Sequence, residues 1–528
     1  MSHGNSYDVP HRAWTRRTFL TVVGGTALAA AGGTAAAGGD DFTTTDITID
    51  SFDGTEIAST LYEPGDGSND HPAMLLTHGY GGNRETVRSR AEMYARNGYV
   101  TLAYDSRGFG ESGGWVGVNG PKEVKDAQTL ITWLANRKNV RTDGPDDPRI
   151  GIDGTSYGGG IQLNTAVAEA LGDGVAESDD RLDALVPRWA WHDLTHSLAP
   201  NGVIKRNWAL LLTLAGAGGS HLTGNDALDF IEGQSPKLYE ILIEGLVENE
   251  LSADATAYFD ARSPSGDLGT ITAPTLFIHG WHDTLFTPTE LVRNADGLET
   301  NHRLVLTDGG HSLEAVTEAD QERFLNAMAR EWIDTHLRGD GQSDLPPVTF
   351  YERQSGTWQT ADGVPPSHAA IRTLSVTAAT DEKTTWVTNS VLPTSTSQLV
   401  PANTDAPGTS AAFDFSITES VELMGAPTLQ LAVEPAGPET RLFAKLYHID
   451  EDEQLIDNQV TPLLVEEAGI TTTEIEMVPF QRRLEPGDTL RLTVSTTDAA
   501  FQSSRISVGA TIHHSERYPS TLDVPVID

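Results

Sequence analysis

The chain contains no cysteine in 528 residues. Disulfides, thiol nucleophiles, thiolate metal sites and a lipid-bearing N-terminal cysteine are all excluded together. Lysine is scarce, with seven against 28 arginines. Basic residues of both kinds number 35 against 75 acidic ones, a formal charge of −40. No basic stripe exists to neutralise phosphates, which excludes nucleic acid as a partner and disfavours anionic membrane surfaces. Long apolar runs are also missing. The stretch Phe19–Ala31 is interrupted by Thr21, Gly24, Gly25 and Thr26, and falls short of the roughly 20 apolar residues of a membrane span. An H-E-x-x-H metal motif is absent as well.

Charge of one sign repels itself and destabilises a compact state unless salt screens it. Such an acidic, lysine-poor composition resembles the proteins of extreme halophiles. At the N-terminus, Thr15-Arg16-Arg17-Thr18-Phe19-Leu20 resembles a twin-arginine export signal, and Ala35-Ala36-Ala37 offers a small-residue cleavage site. Residues 1–37 are therefore expected to be a signal peptide, and the protein to be exported, extracellular or at the cell surface, with no membrane span after cleavage.

The length implies at least two cores. From residue 38 to 340, short apolar runs alternate with helical periodicity. The runs are Ala73–Thr77, Tyr99–Tyr104, Arg149–Asp153, Leu182–Val186, Thr275–His279 and Arg303–Thr307. They predict an α/β domain with a mostly parallel sheet, preceded by a hairpin turning at Asp53-Gly54. Residues 194–265 read helical throughout and predict a cap inserted over the strand ends. After residue 340 helical periodicity disappears. Alternating segments such as Thr428–Val433 and Thr489–Val494 predict an all-β sandwich over 341–528. The acidic run Asp450–Glu453 lacks the spacing of a calcium loop and reads as a solvated hairpin tip.

Gly154-Thr155-Ser156-Tyr157-Gly158 follows a predicted strand and opens a predicted helix, the context that a nucleophile elbow requires. Ser156 is the candidate nucleophile. Downstream, Asp283 lies four residues past one strand and His311 four past the next, giving the order Ser…Asp…His on one sheet edge. His311 is the candidate base and Asp283 the acid that orients it, with Asp193 and Asp308 as competitors for the acid role. Oxyanion donors are expected from the Tyr157 backbone and from the loop His78-Gly79-Tyr80-Gly81-Gly82, through either the backbone or the hydroxyl of Tyr80. His279 and His282 are expected at the pocket rim. His192 and His196, around Asp193, lack a third ligand for a metal.

These residues resemble the X-Pro dipeptidyl-peptidase family (peptidase family S15) and the related cocaine-esterase-like acyl esterases and α-amino-acid ester hydrolases. The resemblance lies in Ser156-Tyr157-Gly158, in Asp105-Ser106-Arg107-Gly108 with Ser112 beyond, in Gly280-Trp281-His282-Asp283, and in the place of Tyr80. It implies an α/β-hydrolase fold with a helical cap and a C-terminal jelly-roll sandwich. It also implies a serine hydrolase acting without cofactor on a small ester or short peptide. Two features depart from the family pattern: Gly79 stands where a proline precedes the tyrosine, and the base loop reads Asp308-Gly309-Gly310-His311. Ester and X-Pro peptide specificity both stay open, as does the oligomeric state. The alternative function is a non-catalytic protein that grips carbohydrate or cell wall with its sandwich.

Overall fold

The computed structural model describes residues 41–173, 180–219, 235–311, 317–339, 341–376, 384–388, 410–505 and 509–527. The twin-arginine segment lies outside them. Residues Asp41–Asp528 form one unit.

Its first layer is a ten-stranded sheet. Strands β1 (Phe42–Asp50) and β2 (Glu56–Pro64) form the expected antiparallel hairpin, turning at Gly54 with φ +81°. The strands β3 (Ala73–Thr77), β4 (Val100–Tyr104), β7 (Ile150–Thr155), β8 (Ala184–Arg188), β9 (Thr275–Gly280) and β10 (His302–Thr307) follow. The short pair β5 (Thr142–Gly144) and β6 (Asp147–Pro148) stands apart. The sheet order is β1-β2-β4-β3-β7-β8-β9-β10, continued by β11 (Val348–Glu352) and β12 (Thr357–Ala361). From β4 to β11 every neighbouring pair is parallel. The change of sequence character at 340 therefore precedes the edge of this sheet, because β11 and β12 still belong to it. Their alternating pattern looks like that of the later strands, and only pairing distinguishes them.

Strand periodicity sorts the core onto two faces. Leu75, Leu102, Ile152, Phe277 and Leu306 face helices α2 (Pro121–Ala135), α3 (Tyr157–Ala170) and α8 (Pro288–Gly297). Met74, Leu76, Ala103, Ile278 and Val305 face α1 (Arg88–Arg96) and α9 (Ala319–Leu337). Burial on both faces explains why these strands read as continuous apolar runs.

Between β8 and β9 the cap region carries α4 (Leu194–Leu198), α5 (Arg206–Gly219), α6 (Pro236–Glu248) and α7 (Ala253–Asp260) among the described residues. Leu238, Ile241 and Phe259 of the cap pack with Trp191, Leu285 and Phe286.

The C-terminal region forms two antiparallel sheets, as a sandwich requires. Leu429, Leu431 and Val433 of one sheet meet Leu442, Leu446, Leu490 and Leu492 of the other in a separate core. Asp450 and Asp452 lie at the tip between strands Thr440–Ile449 and Glu453–Leu455, where Asp452 N–H donates to the Asp450 carboxylate at 2.9 Å.

Candidate active site

The sheet order reverses direction between β3 and β7, since β4 lies outside β3 and the chain then returns to β7. Ligands bind outside the carboxyl ends of strands at such a switch. Ser156 and the Tyr80 loop leave the sheet at this point.

Ser156 stands between β7 and α3 with φ +58° and ψ −113°, a conformation that costs a residue with a Cβ on the order of 1–3 kcal/mol. Its N–H donates to Arg188 O at 2.7 Å. Backbones approach closely on either side of it. A Cβ on Gly154 would lie 2.3 Å from Gly158 O, and one on Gly158 would lie 2.6 Å from Thr77 O. The elbow glycines are thus spacing requirements: a side chain at either would collide with backbone.

A buried ionic knot underlies the elbow. The Asp153 carboxylate accepts Arg188 Nε and Arg90 Nη1, each at 2.8 Å, together with Tyr94 OH at 2.9 Å. Burial alone would raise the Asp153 pKa, but the two guanidiniums outweigh it and hold it below the usual carboxylate value. Through the Arg188 carbonyl, this network sets the position of the serine.

On the next two strands, Asp283 and His311 meet. His311 Nδ1 donates to Asp283 Oδ2 at 2.5 Å, while Asp283 Oδ1 accepts Leu285 N–H at 2.9 Å and Phe286 N–H at 3.0 Å. Asp283 is fully buried. The other ring nitrogen of His311, Nε2, is shielded from solvent and makes no hydrogen bond among the described residues. No hydrogen bond joins it to Ser156, so the structure pairs acid with base and leaves the base's second nitrogen without a partner among the described residues. Phe286 and Trp208 set their rings edge-on to the imidazole, at 5.1 and 6.2 Å between centroids. Trp208 belongs to cap helix α5 and donates Nε1–H to Thr284 Oγ1 at 3.1 Å.

The two loops pack backbone to backbone. A Cβ on Gly280 would fall 1.9 Å from Gly309 O, and one on Gly310 would fall 2.6 Å from Asp283 N. The Gly309-Gly310 departure from the family pattern thus lets the base loop lie flat against the acid loop. The competitors for the acid role are placed elsewhere. Asp193 caps α4 by accepting His196 N–H, and Asp308 pairs with His282 Nδ1 at 3.1 Å.

Tyr80 packs its ring against Phe109 and Tyr157, at 5.3 and 5.5 Å. Tyr157 is buried; its hydroxyl donates to Glu123, and its carbonyl accepts Asn119 Nδ2 at 2.7 Å. Burial raises the Glu123 carboxyl to about 7, against the pull of the Tyr157 hydroxyl and the N–H groups of Gly117 and Gly120. His78 holds the start of the Tyr80 loop. Its Nε2 accepts Ser106 N–H at 3.0 Å, so Nδ1 carries the proton toward Gly79 O at 2.8 Å. Burial pushes this imidazole below the ordinary histidine pKa, although the Gly79 carbonyl and Asp105 oppose the shift. A neutral histidine here fixes the turn that proline would otherwise stiffen.

The Asp105–Ser112 segment is a brace. Arg107 donates to Asp126 (2.6 and 2.8 Å) and Asp53 (2.9 and 3.1 Å), which ties the hairpin turn to α2. Asp105 accepts Arg84 N–H at 2.6 Å and Glu111 N–H at 2.9 Å. A Cβ on Gly110 would meet the Asp105 carboxylate at 2.2 Å.

The expectation that His279 and His282 line a rim is corrected: both are buried, His279 near the end of β9 and His282 within the acid loop. His279 Nε2 contacts Phe286 O at 2.7 Å, and His282 Nε2 accepts from Arg353 Nη1 at 2.6 Å. His192 and His196 contact α8 through Asn294 and Glu290. Glu290 is fully buried and accepts His192 N–H at 2.8 Å, Asp193 N–H at 2.9 Å and His196 Nδ1 at 2.6 Å. Burial alone would raise its pKa, but the His196 hydrogen bond and charge and the two N–H donors pull it from 4.5 to about 2. A lowered folded-state pKa gives stability that is present above 4.5 and lost as pH falls through about 2. The shift corresponds to about 3 kcal/mol. Glu290→Gln should therefore lose stability of this order at neutral pH and flatten the fall between pH 4.5 and 2, measured by urea unfolding. An unchanged pH dependence would contradict this assignment.

A sheet edge carrying an elbow serine, an aspartate–histidine pair and a roofing cap defines the α/β-hydrolase class, here extended by a β-sandwich. Within that class, the chain belongs to the X-Pro dipeptidyl-peptidase (S15) family. The model of that family matches residues 53–313, and the model of its C-terminal non-catalytic domain matches residues 341–522. Solved structures share the fold over nearly the whole length. An α-amino acid ester hydrolase is 15% identical with a TM-score of 0.71, covering 96% of this chain and 100% of its own. A CocE/NonD family hydrolase from Staphylococcus aureus is 16% identical with a TM-score of 0.68, covering 92% and 94%. Among curated proteins, the quorum-quenching protein AidA of Acinetobacter baumannii is 32% identical over 162 residues, 30% of this chain and 48% of that protein. An uncharacterized 31.7 kDa Escherichia coli protein from the traX-finO intergenic region is 32% identical over 139 residues, 26% of this chain and 43% of its own length. The chain thus spans less than half the length of the curated relatives it matches. Family and fold agree: S15 membership comes with the α/β-hydrolase fold and C-terminal sandwich that these structures share.

Proposed function

We propose that the protein is an exported serine hydrolase that cleaves small esters or short peptides through an acyl-enzyme on Ser156. The observation that carries this reading is the Asp283–His311 hydrogen bond, which fixes the proton on Nδ1 and leaves Nε2, shielded and without a partner among the described residues, to act as a base. In the reaction, Nε2 takes the Ser156 proton as Oγ attacks the carbonyl. Contacts of this kind are often open in a free enzyme and tighten when substrate binds. The Tyr157 N–H and the Tyr80 loop receive the oxyanion at the start of α3, whose dipole favours negative charge. Imidazolium then protonates the leaving group, and water, deprotonated by the same nitrogen, releases the acyl group.

Incubation with a fluorophosphonate probe in concentrated NaCl should place one adduct on Ser156. No adduct would favour a non-catalytic sandwich-based binding protein. Rates on an X-Pro-anilide and on a p-nitrophenyl ester then separate peptide from ester specificity.

The charge of −40 supports a protein that works in brine. Screening shortens the Debye length from about 8 Å at 0.15 M to about 3 Å at 1 M. The melting temperature should rise on the order of 10 °C between dilute buffer and molar NaCl. A flat salt profile would remove the halophilic part of the reading.

A further inference from the structure

The acid loop carries more than its carboxylate. Between Trp281 and Phe286, four backbone carbonyls are held by side chains from three parts of the molecule. Gln459 Nε2 donates to Trp281 O at 2.9 Å and to Asp283 O at 3.0 Å. Lys205, from the cap region, donates Nζ to Leu285 O at 2.7 Å. His279, on β9, contacts Phe286 O. Gln459 is the one of these that the β-sandwich supplies, and it grips the two carbonyls flanking His282.

The turn that presents Gln459 is built for this contact. Asp457 and Asn458 both take left-handed backbone, with φ +50° and +58°, and Gln459 N–H closes onto Ile456 O at 3.0 Å. Aspartate and asparagine are the residues other than glycine that most readily take this region, so the pair suits a tight turn that sets Gln459 in place. Asp457 is itself buried, with Oδ1 3.5 Å from His282 Nε2. Sandwich and cap region also meet nearby: Asn207 N–H donates to Ala500 O, Gln502 N–H to Ile204 O, and Asn201 Nδ2 to Pro462 O.

We propose that Gln459 is a positioning residue for the acid–base pair, so that the β-sandwich completes the active site of the hydrolase domain. It acts through the backbone of Asp283. That peptide unit sets where the carboxylate stands, and the carboxylate sets the tautomer and tilt of His311. The proposal rests on the serine-hydrolase reading above.

The test is a double-mutant cycle on the full-length protein in concentrated NaCl, with a p-nitrophenyl ester and a fluorophosphonate. Gln459→Met keeps the volume and removes the donor. Gln459→Ala leaves room for water to satisfy both carbonyls and serves if the first variant does not fold. Each should lower kcat about tenfold to a hundredfold, since a displacement near 1 Å at the reacting groups costs about that much. KM should stay within about twofold, and the labelling rate of Ser156 should fall in parallel with kcat. In an Asp283→Asn background the same Gln459 changes should cost less than about twofold, because the group they position is already disabled. Equal losses in both backgrounds, or full kcat in the single variants, would overturn the positioning role while leaving the hydrolase reading intact. Failure of the unsubstituted protein to take any adduct at Ser156 would instead overturn the hydrolase reading, and this inference with it.

Discussion

Ser156→Ala should lower kcat on a p-nitrophenyl ester by about 10⁵- to 10⁶-fold with KM little changed, the scale expected when a nucleophile that acts as one unit with its base is removed. The residual rate should come from the oxyanion donors and substrate binding alone. Stability should move differently from activity. At φ +58° the Cβ of alanine is as unwelcome as that of serine, so Ser156→Ala should unfold at nearly the same urea concentration as the parent. Ser156→Gly removes the Cβ at this position and should be more stable by about 1 kcal/mol, net of the added freedom of the unfolded chain. A glycine variant less stable than the alanine variant would show that the elbow is not strained. Retention of more than about a hundredth of the parental kcat by either variant would place the nucleophile elsewhere.

What was legible in the sequence was whatever has a local cause. The parallel strands announced themselves because burial on both faces leaves unbroken apolar runs, and each of the six predicted runs overlaps a strand of the sheet. The placement of Ser156, Asp283 and His311 on one sheet edge was legible because strand ends recur in chain order and set the following loops there. His78 was half legible: the His-Gly departure was visible, but its role needed Ser106, which is 28 residues away, to fix the tautomer. Arg188, Gln459 and Lys205 left no local trace. Arg188 reads as the end of a strand, yet its side chain and carbonyl serve the elbow from opposite directions. Gln459 lies 176 residues from Asp283 and reads as one more polar residue in a turn. Long-range pairing also explains why β11 and β12 looked like sandwich strands. Alternation identifies a strand but not the sheet that it joins.

The acid loop makes the outcome of Asp283→Asn unusually well determined. Asparagine is nearly isosteric with aspartate, so packing gives little reason for unfolding. What changes is the supply of acceptors. Asp283 Oδ1 accepts two backbone N–H groups, from Leu285 and Phe286, while Oδ2 accepts His311 Nδ1–H. An asparagine has one oxygen and one amide nitrogen to fill these places. Two fixed donors face the first position, so the oxygen must occupy it, and the NH₂ group is turned toward His311. The ring can then meet the substituted side chain only by accepting at Nδ1, which moves its proton to Nε2. The nitrogen that should take the Ser156 proton would already carry one. The expected loss in kcat is about 10⁴-fold, as for an acid whose replacement fixes the wrong tautomer. The melting temperature should stay within a few degrees of the parent. Asp283→Ala should be the gentler change for the tautomer but the harsher one for stability, because it strands both backbone donors in a buried site at about 1–3 kcal/mol each. A loss in Asp283→Asn below about tenfold would mean that the two N–H groups do not choose the orientation of the amide. The amide oxygen would then hold the tautomer as the carboxylate does, and the charge of the acid would be worth less than that tenfold.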